Sequence, residues 1–233
     1  MTDIHTHLLP FVDDGSDSFE TSLKMLEEII SQGVKNIICT PHYRKGIFAC
    51  SDEEVIAVFA DFDKKVKEKG YDVNLFLGRE ITDYKEFVEK VEKGQVLSLA
   101  NSKFVLLEFP YDIETDIDEI CYRVKLAGYY PVIAHVERYT YFRSIEMIEQ
   151  LKKSGVVITV NSSSVVKKSF PEENKFTKKL LKRRLVDIIA SDYHYNRENT
   201  FKSAYEKVKS KYGEDYAELV FKLNPEQIIK NCR

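Results

Sequence analysis

The 233-residue sequence predicts an α/β barrel, and three features of it do so. Short apolar runs rich in Val, Ile and Leu recur along the chain. Each is followed by a longer amphipathic stretch, and every histidine falls at or just past the end of such a run. Strand then helix, repeated, builds parallel strands joined by right-handed crossovers. Runs that read as continuously apolar rather than alternating suit strands buried on both faces.

Seven strands are expected: Thr2–Thr6, Lys35–Thr40, Asn74–Leu77, Phe104–Phe109, Pro131–His135, Val156–Asn161 and Asp187–Ser191. Between the first two, a helix over Phe19–Gln32 puts Leu23, Leu26, Ile29 and Ile30 on one side, and Gly33 follows where a helix stops. Ser51 is placed to cap Asp52–Lys69, with Glu54 at the third helical position to close a capping box. Helices Ile113–Ala127 and Ser144–Ser154 end before Gly128 and Gly155. Further helix is expected from Thr200 to Tyr212, and a last short one beginning at Asn224-Pro225-Glu226. No linker-like stretch or shift in composition divides the chain, so residues 1–233 are expected to form one domain.

With 43% hydrophobic and 31% charged residues the composition is that of an ordinary globular protein. A net charge of −3 lacks the basic surplus of a nucleic-acid binder. It does not oppose phosphorylated substrates, because bound cations can supply the local positive charge. The start, MTDIHTHLLPFVDDGS, has neither the basic region nor the apolar core of a signal peptide. No apolar run approaches the roughly 20 residues that span a bilayer, so no membrane insertion and a cytoplasmic location are expected. Cys39, Cys50, Cys121 and Cys232 show no C-x-x-C spacing, which argues against a disulfide framework and a cysteine zinc site. The interval from Cys39 to Arg44 is one residue short of a cysteine-phosphatase loop, which must wrap its backbone amides around a phosphate; Cys39 reads as a buried strand residue.

The chemistry is concentrated in the five histidines, His5, His7, His42, His135 and His194, all at strand carboxyl ends, where parallel barrels build their active sites. Glu80, Glu108 and Asp192 occupy matching places. A lone strand-end His is ordinarily a hydrogen-bonded structural residue, and a lone carboxylate there an N-cap or turn residue. That reading requires the same coincidence on six different strands. His5 and His7, two apart on a strand, face one side and can share an ion. Asp3, in the same register, is placed to orient an imidazole. Of Asp13 and Asp14, which precede Gly15, one is expected to be a ligand and the other structural. Counting Asp14, the candidate ligands are His5, His7, Asp14, His42, Glu80, Glu108, His135, Asp192 and His194. A tetrahedral ion takes about four ligands, so two or three ions sharing a bridging carboxylate fit better. Nitrogen and oxygen donors without thiolate suit Mn, Fe or Zn.

These residues carry a resemblance. The D-I-H-T-H start, T-P-H at 40–42, Glu80, Glu108, His135 and S-D-Y-H at 191–194 resemble the PHP (polymerase and histidinol phosphatase) superfamily. Together, DIHTHLLPFVDDGS, TPHY, H-V-E-R-Y and N-P-E-Q-I-I are similar to the bacterial manganese-dependent protein tyrosine phosphatases of capsule and exopolysaccharide operons, the CpsB/YwqE type, from residue 3 to about residue 230. The resemblance implies a distorted (β/α)7 TIM-like barrel, the PHP fold, holding three Mn2+ ions, with Fe or Zn as alternatives. It implies that His5, His7, Glu80 and Asp192 bind one ion, and that Glu80, Glu108 and His135 bind a second, Glu80 bridging. Asp14, His42 and His194 would bind the third. Arg138, in H-V-E-R-Y, matches the family's phosphate-binding arginine. The sequence departs from the family in the further basic residue usually found well beyond the S-D-x-H histidine; the nearest here is Arg197, only three residues on.

Phosphomonoester hydrolysis then needs a nucleophile, supplied by a metal-bridging water of lowered pKa, and neutralisation of the phosphoryl charge by the ions and Arg138. His42, His194 or a bound water would protonate the leaving phenolate. Arg138 has a plainer reading, an ion pair with adjoining Glu137, although guanidinium suits phosphate; Arg44, Arg79 and Arg143 read as structural or solvated. The substrate implied by the resemblance is the phosphotyrosine tail of a membrane-bound bacterial tyrosine kinase. Two other readings are another PHP phosphoesterase, such as histidinol-phosphate phosphatase, and a non-catalytic metal-binding module that docks to a partner. The Asp13-Asp14-Gly15 loop and H-V-E-R-Y favour the tyrosine phosphatase, and the full ligand set disfavours the idle module.

Overall fold

Parallel pairing organises the chain. The computed structural model describes residues 1–231 except 45, 49 and 83, with backbone alone at 84–86; Cys232 lies outside the described residues. Its strands are β1 Thr2–Thr6, β2 Asn36–Cys39, β3 His42–Tyr43, β4 Asn74–Leu77 and β5 Glu80–Ile81. They continue with β6 Phe104–Leu107, β7 Tyr130–Ile133, β8 Val157–Asn161 and β9 Ile188–Ala190. Because β3 prolongs β2 and β5 prolongs β4 after short breaks, the nine segments trace the seven expected strands. Their order is β1-β2-β4 in one sheet and β3-β5-β6-β7-β8-β9 in the other, every strand pair parallel.

The ring closes between the first strand and the last. Thr6 bridges Tyr193, the Asp192 amide donates to the His5 carbonyl at 2.9 Å, and the His7 amide donates to the Tyr193 carbonyl at 3.1 Å. The distortion lies opposite, where a 3-10 turn at Leu99–Asn101 packs between β4 and β6. A Cβ on Gly78 would lie 2.9 Å from Leu99 Cδ2 and 3.1 Å from its Cα, so only glycine lets the strand pass and resume as β5.

One apolar cluster takes Ile4, Ile38, Leu106, Val132 and Ile188 from β1, β2, β6, β7 and β9, with half-buried Phe76 and Val157 from β4 and β8. A cluster fed by all seven strands can only be the barrel interior. Leu99 and Ala100 enter it from the 3-10 turn, and Ile228 enters it from the carboxyl-terminal helix. The second, larger core lies between the strands and the surrounding helices.

Those helices are α1 Phe19–Ser31, α2 Asp52–Glu68, α3 Tyr84–Glu92, α4 Ile117–Leu126 and α5 Ile145–Lys153. After them come α6 Ser162–Val166, α7 Pro171–Lys182, α8 Phe201–Tyr212, α9 Glu214–Glu218 and α10 Asn224–Lys230. The expected capping box is present in α2: Ser51 Oγ accepts from the Glu54 amide at 3.2 Å and Glu54 Oε2 from the Ser51 amide at 2.7 Å. One helix start differs from expectation. Helix α4 starts at Ile117 rather than Ile113, because the Asp116 carboxylate takes the Glu119 amide at 3.0 Å and caps the helix there. The last short helix begins at Asn224 as expected, although it follows without a break a π-helical stretch, Leu219–Leu223, that comes after α9. Asn224 Nδ2 donates to the Asp187 carbonyl at 2.8 Å just before β9, which fastens α10 across the amino-terminal mouth of the barrel. No helix among the described residues is long and apolar enough to cross a membrane.

Since Ile228 is 1% exposed within the barrel interior, Ile228→Ala is expected to lower unfolding free energy by about 2–5 kcal/mol in urea denaturation. A change under about 0.5 kcal/mol, typical of surface positions, would contradict the plug.

Candidate metal centre

The carboxyl-terminal mouth gathers the nine side chains. His5 and His7 come from β1 and its exit, His42 from β3, Glu80 from β5, and Glu108, His135, Asp192 and His194 from just beyond β6, β7 and β9. Asp14 reaches in from the loop before α1. Four imidazoles surround the Glu80 carboxylate: His5 Nε2 and His7 Nε2 lie 3.2 Å from Oε2, His42 Nδ1 2.9 Å from Oε2, and His135 Nε2 2.9 Å from Oε1. Asp192 Oδ1 is 3.4 Å from His7 Nε2 and 3.7 Å from His5 Nε2. Asp14 Oδ1 sits 3.4 Å from His194 Nε2 and 3.7 Å from His42 Nε2, and Glu108 Oε2 3.7 Å from His42 Nδ1.

Local structure sets these directions. His135 and Asp192 both have left-handed backbone, at φ 30° and 51°, an arrangement costing a non-glycine residue about 1–2 kcal/mol. Each is held there: the His135 amide donates to Thr159 Oγ1 at 3.2 Å, and the Asp192 amide to the His5 carbonyl at 2.9 Å. Such strain concentrates at functional sites. The two aspartates of the first loop take different places. Asp13 is structural, its carboxylate accepting from His7 Nδ1 at 2.7 Å and from the His42 and Gly15 amides at 2.9 Å. Asp14, with its side chain 53% exposed, faces His42 and His194. Gly15 packs so tightly on His7 that a Cβ would lie 2.1 Å from the His7 carbonyl oxygen.

Asp3 corrects an expectation. It orients no imidazole; Oδ1 accepts the Ser191 amide at 3.1 Å and the His5 amide at 3.4 Å, tying β1 to the end of β9. The imidazole-orienting role belongs to Asp13. Arg79 is structural, as expected: buried, it donates to Asp52 Oδ1 at 3.2 Å, to the His42 carbonyl at 3.3 Å and to the Cys50 carbonyl, and so secures the segment carrying His42. Arg143 donates to the Glu137 carbonyl at 2.9 Å, whereas Arg44 lines the mouth of the site. Cys39 is buried in β2, where burial pushes its thiol well up, away from any nucleophilic role.

The electrostatics are those of a cation site. Burial alone would raise Glu80, but the charges of His5 and His42 and a hydrogen bond from His135 hold it well below the usual carboxylate range. Asp192 is likewise held down, against burial, by His7, His5, His194 and Arg138, and a hydrogen bond from His194 brings Asp14 to about 2. Meanwhile His5 Nδ1 and His135 Nδ1 are buried without a hydrogen-bond partner. Buried carboxylates held ionised and crowded by imidazole nitrogens at 2.9–3.2 Å form a donor set that fits divalent ions. Three sets of donor atoms lie within 4.8 Å of one another: His7, Asp14, His42 and His194; His5, His7 and Glu80; His42, Glu80 and Glu108. Glu80 belongs to two sets, as a carboxylate between neighbouring ions would; His135 and Asp192 lie outside the three sets, beside Glu80 and His7 at 2.9 and 3.4 Å.

Arg138 does not pair with Glu137, which turns inward to accept the Asn161 amide at 2.8 Å. Instead its guanidinium lies 4.5 Å above the Tyr111 ring and donates to Asp192 Oδ2 at 3.2 Å. Arg197 donates to the same oxygen at 3.1 Å. Both guanidinium groups line a cavity of about 140 Å3 with Asp14, His42, Glu108, His135, Asp192 and His194. Sequence reasoning missed three supporting residues. Asn161 Nδ2 donates to Asp192 Oδ2 at 2.8 Å, Tyr111 OH to Glu108 Oε1 at 2.6 Å and Thr82 Oγ1 to Glu108 Oε2 at 2.8 Å. Asn161 ends β8 as the other site residues end their strands, a signal that was available; Tyr111 has none.

Comparison with known proteins agrees with this geometry. Residues 1–230 match the family described as capsular polysaccharide synthesis, CpsB/CapC. The chain is 36% identical over 242 residues to the tyrosine-protein phosphatase CpsB of Streptococcus pneumoniae, covering 98% of each. It is 30% identical over 203 residues to the tyrosine-protein phosphatase YwqE of Bacillus subtilis, covering 86% of this chain and 80% of that one. Among solved structures, that reported for YwqE from Bacillus subtilis and CpsB from Streptococcus pneumoniae, unique metal-dependent tyrosine phosphatases, superposes with a TM-score of 0.91 at 28% identity. The match covers 100% of this chain and 96% of that one. The chain belongs to the CpsB/CapC family.

Proposed function

We propose that this chain is a metal-dependent protein tyrosine phosphatase whose divalent ions are held by His5, His7, Asp14, His42, Glu80, Glu108, His135, Asp192 and His194. The observation that carries the reading is the convergence of these side chains beside Arg138 in a member of a family whose named relatives are tyrosine phosphatases. We assign three Mn2+ ions to the centre. The substrate we assign is the phosphotyrosine tail of a membrane-bound bacterial tyrosine kinase of polysaccharide synthesis, met by a cytoplasmic enzyme.

When bound, such ions supply a nucleophilic water at neutral pH and Lewis-acid charge for the phosphoryl group. The chain's own residues prepare for this. The Asp13 carboxylate takes the His7 Nδ1 proton, which leaves the Nε2 lone pair facing the centre. Tyr111 and Thr82 each donate to one oxygen of Glu108 and fix its orientation. Arg138, stacked on Tyr111 and anchored to Asp192, keeps its remaining N–H donors for phosphoryl oxygens. His42 and His194 line the cavity, and one of them, through a ring N–H not engaged elsewhere, or a water held there would pass a proton to the departing phenolate, a good leaving group for which a weak acid suffices.

Metal-stripped protein is expected to release phosphate from a phosphotyrosine peptide only after Mn2+ is added, and not from histidinol phosphate. Preference for histidinol phosphate would overturn the substrate; inactivity on both would favour a docking module. His42→Ala is expected to cut turnover about 100-fold while the circular dichroism melt stays close to wild type. Undiminished turnover would refute its role.

A further inference from the structure

Beside the metal centre runs a second, larger hollow of about 670 Å3. It shares Arg138, Asp192 and Arg197 with the smaller cavity, so the two adjoin. One wall is the connection from β8 through α6 to α7; the other is the loop from β9 to α8. An ion pair between Lys168 and Glu198 joins those walls. We infer that this groove receives the polypeptide on one side of the phosphotyrosine, and that Phe170 at its rim selects peptides over small phosphomonoesters. The inference rests on the phosphatase reading above and extends it to substrate class.

Size is the first ground. The cavity over the metal ligands, about 140 Å3, has room for a phosphoryl group and little else, whereas the groove lies in the roughly 300–1,000 Å3 range of sites that bury a sizeable ligand. Charge is the second. Arg138, Arg197 and Lys168 are offset along the groove by Asp192, Glu173 and Glu198, so it is no uniform anion track such as a polyphosphate or nucleic acid would need. Mixed charge with hydroxyls of Ser163 and Thr200 suits a polypeptide, whose backbone carries both donors and acceptors. The third ground is Phe170, 75% exposed yet part of the groove lining. A single exposed aromatic is common on any surface. Here Pro171 occupies the first turn of α7 and limits the backbone of Phe170, so the position from which its ring projects is fixed. An aromatic ring on a stiff support beside a reactive centre is placed to pack against a neighbouring peptide side chain.

The test compares kcat/KM for a phosphotyrosine peptide with that for p-nitrophenyl phosphate, using Mn2+-loaded wild-type and Phe170→Ala enzyme. The ratio of peptide to ester is expected to fall about five- to tenfold in the variant, the cost of truncating a typical interface anchor. An unchanged ratio overturns the assignment of the groove while leaving the phosphatase intact. A wild-type enzyme that hydrolyses neither substrate overturns the phosphatase reading and this inference with it.

Discussion

The structure depends on the burial of one carboxylate among imidazoles. Glu80 is fully buried, with four of the five histidines within 3.2 Å of its oxygens. A buried anion costs several kcal/mol unless opposing charge and hydrogen bonds compensate it. Imidazoles packed with ring centroids 4.1–5.6 Å apart carry the opposite difficulty, since protonating them together is costly and leaving them neutral strands their lone pairs. Divalent cations among them would resolve both, so the proposed metal centre also compensates the burial of Glu80. The break at Gly78 brings Glu80 to this point, the 3-10 turn at Leu99 forces that break, and Ile228 seals the interior below.

Strain follows the same plan. His135 and Asp192 sit in left-handed backbone, and their amides are satisfied by Thr159 Oγ1 and the His5 carbonyl on neighbouring strands. The ring of strands thus supplies the force that holds two proposed ligands in an unfavourable conformation. Asp3 serves the same closure from the opposite side, through the Ser191 amide. Ligand placement and barrel closure therefore use the same residues near β1 and β9.

Much of this was legible in the amino-acid order. All seven strands were, because doubly buried parallel strands are continuous apolar runs; the nine proposed ligands were, because each follows such a run or its adjoining loop. The breaks that split off β3 and β5 were not, since they arise from the Leu99 turn arriving against Gly78, a contact between residues distant in sequence. Asp3 was misread because spacing shows which face a side chain takes but not whether an amide or an imidazole awaits it there. The start of α4 is not legible, because only the structure shows that the Asp116 carboxylate holds the Glu119 amide and caps the helix there. Tyr111, which positions Glu108 and supports Arg138, lies in a loop without periodicity, where local sequence carries no directional information.

The most direct measurement is the diffraction of crystals grown with Mn2+, collected at the manganese absorption edge. The account predicts anomalous peaks confined to the space among these nine side chains, more than one per chain, with one adjoining Glu80. A single peak, or peaks bound by other residues, would contradict it.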